Sequence, residues 1–461
     1  MRITRYIGSR GCQDLEYTTS LSDQETLVID SYSEGNVSFR LTCDEKPVAI
    51  SLRPLQRDMI DLAVSIYIAD EHISREQTSD HWTRDLAFLV PVQDPQGWSN
   101  SEDLLCDTLH TLSGDRYSFQ WLDCRSTLQR PRPRRRLPRN FDAVCLFSGG
   151  IDSLLGAWQL LIQGRKVLLV GHQADTTTAG VQNELARKIR LRFPGQASFI
   201  QCRAARSQTA HPRFPLPEKC EETHRVRSFL FLALASSIAE AYGVSSVFIP
   251  ENGLIALNVP LQLSRLGTFS TRTAHPKYLV QLLETFRRLG SYSGEIRNPF
   301  LYASKTDMLK GASPDLVDFL RLTVSCAHPG RMKGHGKLHC GYCVPCLYRR
   351  CAMAEIDPRF AAEYAFDPFE DLGSGRLTET TAPHIRALTG FAKKVVSLKE
   401  CERQLLLLQH GHFSPDVSRI IGPLATKTYT PWSQMLLRWC QDYLRKADSW
   451  STPQSKKILG L

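Results

Sequence analysis

The stretch Leu146-Phe-Ser-Gly-Gly-Ile-Asp-Ser-Leu154 constrains this chain more than any other. It follows a short apolar run, Ala143-Val144-Cys145, and opens into Leu154, Leu155, Ala157, Trp158, Leu160, Leu161 and Ile162, so it reads as strand, glycine turn, helix. Gly149 and Gly150 let the backbone turn with no Cβ in the way, and the first amides of the following helix then converge on one spot. Such a spot binds phosphate. Ser148 and Ser153 add hydroxyls, and Asp152 can hold a Mg²⁺ shared with phosphate oxygens. The same residues also suit an ordinary Gly-rich turn with a helix-capping aspartate. No Gly-x4-Gly-Lys-Ser/Thr occurs in the chain, so this is not the loop of kinases and GTPases.

From 141 to about 325 strands and helices alternate, which predicts an open parallel α/β sheet with helices on both faces. Strands are expected at Phe141 to Phe147, Lys166 to Val170, Ala197 to Gln201 and Ser245 to Ile249. Helices are expected at Ser153 to Gln163, Gly180 to Phe193 and Thr223 to Tyr242. Ligands of such sheets bind beyond the carboxyl ends of the strands, where the loops 148–153, 171–178 and 250–275 should meet. The last is the most chemically loaded: Glu251, Asn252, Asn258, Arg265, Arg272 and His275 share one long connection. Asn and Glu offer planar partners to a purine-like base, and Arg suits carboxylate or phosphate. A surface loop facing water is the other reading. Further on, Ser304 can cap a helix that carries Lys305, a cation suited to phosphate charge or simply to the surface.

The flanks differ in character. Residues 1 to 124 read as β-rich, with strands at 26–30, 37–42, 48–52 and 86–92 and one helix over 55–68. Residues 125 to 140 form a proline-rich linker, and the tail from 356 reads as helical. Of the net charge of +10, seven charges belong to linker arginines (Arg125, Arg130, Arg132, Arg134, Arg135, Arg136 and Arg139), so the rest of the chain is near neutral. Those arginines suit RNA, DNA or an acidic partner, and equally a solvated linker; a broad nucleic-acid-binding face is not favoured. No apolar run approaches bilayer length, and the start, Met-Arg-Ile-Thr-Arg-Tyr, lacks the apolar core of a signal peptide, so no membrane is expected and the location expected is cytoplasmic.

In such a chain fourteen cysteines point to metal binding or buried thiols rather than disulfides. Cys340, Cys343 and Cys346 follow Cys-x2-Cys-x2-Cys spacing, with Cys326 upstream. Four thiolates close a tetrahedral site around Zn²⁺, with Gly341 and Pro345 suited to the tight turns between ligands. The same set also serves iron–sulfur clusters, and His328, His335 and His339 are spare ligand candidates.

The residues Ser148-Gly-Gly-Ile-Asp-Ser153 resemble the pyrophosphate loop (PP-loop) of the N-type ATP pyrophosphatases, which split ATP between the α and β phosphates. Together with Arg227, Asn298-Pro-Phe, Lys305 and the four cysteines followed by Arg349, they resemble the QueC family of 7-cyano-7-deazaguanine synthases over about residues 141 to 352. The resemblance implies ATP held by Phe147, Ser148, Gly149, Gly150, Ile151, Asp152, Ser153 and Leu154, with Mg²⁺ on Asp152. It implies catalytic roles for Ser148, Asp152, Arg227 and Lys305, and a structural zinc. The implied reaction is adenylation of a deazapurine-like carboxylate, then attack by an amine and, in the family, dehydration to a nitrile. Two family signatures are replaced, by Gly171-His-Gln-Ala-Asp175 and by the Glu251 to His275 segment, and both ends carry extra chain. That combination resembles the longer QueC-like proteins of anti-phage defence operons of the Qat or type IV CBASS kind, where the amine can belong to a partner protein. Rival readings are a 7-cyano-7-deazaguanine synthase of queuosine biosynthesis, a PP-loop tRNA-modifying enzyme and a nucleotide-binding scaffold without turnover.

Overall fold

The computed structural model describes residues 5–9, 27–31, 35–124, 140–173, 175–207, 215–218, 221, 225–258, 272–327, 329–377, 382–410 and 429–461. The chain starts with β1 (Arg5–Ser9), β2 (Leu27–Asp30), β3 (Val37–Cys43), β4 (Lys46–Pro47), α1 (Pro54–His72), β5 (Asp85–Val92), α2 (Pro95–Ser99), α3 (Glu102–Ser113) and β6 (Arg116–Asp123). The expected alternation follows as β7 (Ala143–Leu146), α4 (Ile151–Ile162), β8 (Val167–His172), α5 (Thr176–Arg192), β9 (Ala197–Arg206), α6 (Arg227–Tyr242) and β10 (Ser246–Phe248). Next come α7 (Gly253–Leu257), α8 (Pro276–Leu289), β11 (Glu295–Arg297), α9 (Lys305–Leu309), α10 (Pro314–Leu322) and α11 (Val344–Met353). The tail is helical as expected, with helices Pro368–Ser374, Ala382–Ser397, Glu400–His410, Thr430–Trp450 and Pro453–Leu459.

The main sheet has the order β11-β10-β7-β8-β9-β3-β4, and its first five strands run parallel. This is the open, mostly parallel α/β architecture that the alternation predicts. From β7 the chain steps outward through β8 to β9, then returns to the other side of β7 as β10. The carboxyl ends of β7 and β10 therefore part around a crevice, the place where open α/β sheets take ligands. α6 explains its own position: Phe229, Leu230, Leu232, Ala233 and Leu234 are all fully buried and Phe231 partly so, and the helix lies between α1 and the sheet.

The first 124 residues carry helices beside their six strands, and those strands divide between two sheets. β2, β1, β5 and β6 form a second sheet that is parallel throughout, which requires helical crossovers such as α1 and α3. Leu105, Leu109 and Leu112 recur at helical spacing in α3 and are fully buried. β3 leaves this segment and pairs antiparallel with β9, from Val37 opposite Arg206 to Cys43 opposite Ile200. No strand forms at the expected 48–52; a two-residue turn at Asp44 and Glu45, with φ of 52° and 63°, returns the chain earlier as the short β4 at 46–47.

A buried charge cluster holds the two sheets' helices together. Arg75 reaches both oxygens of Asp115 (2.9 and 3.1 Å from Nη1), Arg84 bonds Asp115 at 2.6 Å, and both arginines bond Asp70. Asp70 also accepts the N–H groups of Arg225 (2.9 Å) and Val226 (3.2 Å), where α6 begins. Each of these charges alone would be costly to bury, and the pairing is what makes them tolerable. Asp115→Ala leaves two buried guanidinium groups short of a partner and is expected to cost about 3–5 kcal/mol, read as a lowered urea midpoint. A midpoint within error of wild type would show the cluster to be dispensable.

Among the described residues no helix is long and apolar enough to cross a membrane. The linker arginines 125–139 lie outside the described residues.

Candidate active site

At the end of β7 the chain turns through Gly149, in the left-handed region at φ +84°, and enters α4 at Gly150. Gly150 is the N-cap and supplies no side-chain cap, so the first amides of α4 are left for another acceptor. Ser148 Oγ donates to Ser153 Oγ at 3.2 Å, and Ser153 Oγ to the Gly150 carbonyl at 3.1 Å, so the two hydroxyls tie the turn to itself. Val324 N donates to the Gly149 carbonyl at 3.0 Å and fixes the outer side of the loop.

Asp152, in the first turn of α4, is 6% exposed and is the centre of a polar cluster. Its Oδ2 accepts Asn252 N (3.2 Å) and Nδ2 (2.6 Å), and its Oδ1 pairs with Lys305 Nζ. Asn252 Oδ1 in turn accepts Leu254 N and Ile255 N, capping α7, so this asparagine is locked at both ends. Lys305 opens α9, whose start is set by a reciprocal cap: Ser304 Oγ accepts Asp307 N, and Asp307 Oδ2 accepts Ser304 N, both at 3.1 Å. Neighbouring Glu251 is half-buried, and burial first, then the Asp152 charge, pushes its carboxyl up to about 8 against the pull of Lys305.

The cluster has close-packed walls. A Cβ on Gly156 would lie 2.3 Å from Pro250 Cγ, and one on Gly253 would lie 2.4 Å from the Leu301 carbonyl and 2.8 Å from Met435 Sδ. Met435 belongs to the helix Thr430–Trp450, and Trp432 Nε1 of the same helix donates to Leu301 O at 3.1 Å. The C-terminal region thus braces the shell that carries Asn252 and Lys305. Buried Asn298 accepts Glu251 N (3.3 Å) and Phe300 N (3.0 Å) and ties β10 to β11 at the same edge. The sequence signal for it is Asn298-Pro-Phe at a strand end.

Both oxygens of Asp152 are engaged within the protein. The direct Mg²⁺ role expected of Asp152 meets a lysine ammonium at Oδ1 and two amide donors at Oδ2. The chain itself thus places a buried ion pair, Lys305 with Asp152, beside the loop.

The remaining expected residues divide. The structure brings the 147–154 loop, Glu251, Asn252 and Lys305 together. Asn258 ends α7 at φ +46°. Arg272 donates to Thr111 O of α3 at 3.0 Å, with its guanidinium lowered to about 10 by burial. His275 caps α8, its Nδ1 accepting Lys277 N at 3.2 Å. Arg227 is the first residue of α6, and its charge acts on Tyr67. Arg265 lies outside the described residues.

Burial, with Arg272 and Lys277 adding to it, lowers His275 to about 3 from its ordinary 6.5. Between these values the unfolded chain binds a proton that the folded one refuses, so this residue makes stability fall as pH drops from about 6.5 towards 3. His275→Gln keeps an acceptor for Lys277 N and is expected to flatten the slope by up to about 1.4 kcal/mol per pH unit in urea titrations. An unchanged slope would exclude His275 as its source.

The four cysteines come together as their spacing predicts. The sulfurs of Cys326, Cys340, Cys343 and Cys346 all lie within 4.8 Å of one another, and all four residues are buried. Zinc–sulfur bonds of about 2.3 Å set tetrahedral edges of about 3.8 Å, and Cys340 Sγ stands 3.8 Å from Cys346 Sγ. Cys343 N donates to Cys340 Sγ at 3.4 Å, which suits a charged thiolate. Gly341 holds φ +93°, and a Cβ there would lie 2.1 Å from the Phe366 carbonyl, so only glycine fits between the ligands. The donor set therefore fits a tetrahedral metal. Of the spare histidines, His339 accepts Ser325 N through Nε2 (3.3 Å), His335 packs on Phe366, and His328 lies outside the described residues.

Fold and crevice define a class: an open α/β protein with a bare helix N-terminus and a buried lysine at its switch point. No protein-family profile matches the chain. Over about half its length it is similar to 7-cyano-7-deazaguanine synthases. It is 26% identical to that of Methanothrix thermoacetophila over 241 residues, 48% of this chain and 98% of the relative. It is 25% identical to that of Methanoculleus marisnigri over 241 residues, again 48% and 98%. For that of Leptospira interrogans the identity is 25% over 231 residues, 47% and 88%. Among solved structures, a ketoreductase domain from the bacillaene assembly line has a TM-score of 0.22 and 10% identity, covering 64% of this chain and 79% of that one, too low to bear on fold or function.

Proposed function

We propose that this chain is a QueC-like, ATP-dependent enzyme that adenylates a carboxylate on a deazapurine-like base and passes the acyl group to an amine. The observation that carries this reading is the uncapped start of α4 meeting Asp152, Asn252 and Lys305 where β7 and β10 part. Open amides at a helix N-terminus bind phosphate oxygens, and a buried ammonium beside them offsets the charge that grows on the α phosphate. Similarity to 7-cyano-7-deazaguanine synthases over nearly their whole length supports a deazapurine carboxylate as the activated group.

In this reading the residues 147–154 hold the β and γ phosphates while the substrate carboxylate attacks the α phosphate. The bond to the β phosphate breaks and pyrophosphate leaves. The amine nitrogen then attacks the acyl carbon, AMP departs with the carbon–oxygen bond electrons, and the amine's proton goes to solvent. Orientation and charge compensation by Lys305 do most of the catalytic work, and the second cation that the resemblance implies is Arg227 at the start of α6. Asn252, bonded to Asp152 and to the start of α7, positions the site, and Glu251 beside it is the residue proposed to face the base. Mg²⁺ enters only as the ion that accompanies ATP. Cys326, Cys340, Cys343 and Cys346 would hold zinc with no position open for reaction, so that it would anchor the chain between 326 and 346. Residues 141–355 form the catalytic unit, with 1–124, the 125–140 linker and 356–461 as additions.

Those additions and the replaced base-side loop favour a role in anti-phage defence, with the amine on a partner protein. The near-complete coverage of the relatives favours a second reading, nitrile formation from ammonia as in a 7-cyano-7-deazaguanine synthase. The test is to incubate the protein with ATP, 7-carboxy-7-deazaguanine and ammonium, follow AMP by chromatography and weigh the product by mass spectrometry. No AMP from wild type, or equal AMP from Asp152→Ala, overturns the enzyme reading. A nitrile selects the second reading, and a persisting acyl adenylate the first.

A further inference from the structure

Gln182 of α5 is 1% exposed and touches the phosphate loop from beneath. Its Nε2 donates to the carbonyls of Ser148 and His172, both at 3.1 Å, where the chain leaves β7 and β8. Its Oε1 accepts Gln201 Nε2, from β9, at 2.9 Å. This bond fixes the amide's orientation, because a flipped Gln182 would turn its oxygen on two carbonyls and its nitrogen on a donor.

The surroundings are shaped to admit this side chain. A Cβ on Gly171 would lie 3.0 Å from Gln182 Oε1 and 2.7 Å from the Phe147 carbonyl. A Cβ on Gly149 would lie 3.2 Å from Gln182 Cγ. A trans peptide is planar, with its C=O and N–H opposed. Pinning the Ser148 carbonyl towards α5 therefore aims the Gly149 N–H away from α5. Val324 N does the same for the next peptide by holding the Gly149 carbonyl at 3.0 Å, which aims the Gly150 N–H, a donor to Ser148 Oγ at 3.4 Å. Two consecutive amides are thus set before any ligand arrives.

We infer that Gln182, oriented by Gln201, is a positioning residue that presets the phosphate-binding amides of the loop through the Ser148 carbonyl. The inference rests on the reading of that loop as the ATP site. The pair is well suited to the task because an amide alone among the side chains presents two donors and an acceptor in one rigid plane. Leucine would fill the space without holding the carbonyls. Glutamate would hold one of them only while protonated.

The experiment uses the full chain as wild type, Gln182→Leu and Gln182→Glu, with hydrogen–deuterium exchange of the 147–153 peptide at several pH values and AMP formation alongside. Gln182→Leu is expected to raise exchange at 147–153 by about tenfold, with the tail helices unchanged. Its kcat is expected to fall about 10²-fold. Gln182→Glu is expected to approach wild type as pH falls and to depart from it as pH rises, in both exchange and rate, a titration that a space-filling role would not create. Loop exchange equal to wild type in both variants at every pH, or exchange raised equally along the whole chain, overturns the inference. Should wild type form no AMP, the ATP reading fails by itself, and the exchange data still decide the role of Gln182.

Discussion

Lys305→Met is expected to cut AMP formation by about 10²–10³-fold, the loss typical when a preorganised charge is removed from a site where charge develops. The substitution is also expected to destabilise the fold, since it strands the Asp152 carboxylate in a shell 6% exposed. Rate and stability can be separated by the double variant Asp152→Asn, Lys305→Met. Removing both charges relieves the stranded carboxylate, and the amide oxygen introduced by Asp152→Asn still accepts from Asn252 Nδ2, so most of the lost stability should return. The rate should not return, because the positive charge beside the loop is still missing. Single-turnover AMP release and thermal unfolding of the four proteins of the cycle provide the readout. A double variant that recovers rate together with stability would make Lys305 a structural partner of Asp152 and nothing more. Unaltered turnover in the single variant would remove it from the site.

The parts of this site that are legible in the sequence are those whose chemistry is local. Ser148 to Ser153 announces itself because glycines, strand and helix adjoin within a dozen residues, and the cysteines because metal ligands keep fixed spacing. Lys305 is legible as a lysine behind a helix cap, but its partner is not, since 152 and 305 are brought together by the sheet. The same limit explains β3. Nothing in Val37 to Cys43 says that its partner is β9, more than 150 residues away, because β pairing is specified by tertiary context. Arg272 and His275 read as substrate residues from residue type and from their place on a long connection. In the fold they contact α3 and cap α8, and a sequence cannot distinguish a histidine that faces a ligand from one that caps a helix. Gln182 gives no signal at all. A glutamine on a polar-looking helix becomes important only when its amide meets two carbonyl ends.

Removing the metal is the perturbation expected to reach furthest. A structural tetrathiolate zinc contributes about 10–16 kcal/mol of apparent binding energy near neutral pH, which matches or exceeds the ~5–15 kcal/mol that holds a typical domain folded. Cys343→Ser, or chelation of wild type, is therefore expected to unfold the segment from 323 to 346 rather than merely loosen it. The damage should then travel by a short route. Val324, two residues before the ligand Cys326, is the donor that holds the Gly149 carbonyl, and the 323–326 segment is pinned by Arg349 of α11 on Thr323. α11 begins at the ligand Cys343 and packs on α9, which carries Lys305. Loss of a metal held by these cysteines would thus free the loop at Gly149 and unseat the lysine, at a distance from both. The expected result is one equivalent of zinc in wild type, and no AMP formation after its removal. Exchange should rise at 147–153 as well as at 323–346. Cobalt should restore both protection and turnover and display the visible absorption of a tetrahedral thiolate site. A metal-free protein that keeps its turnover, or cobalt spectra of an octahedral ion, would mean that these cysteines are buried thiols and that α11 holds Lys305 by packing alone.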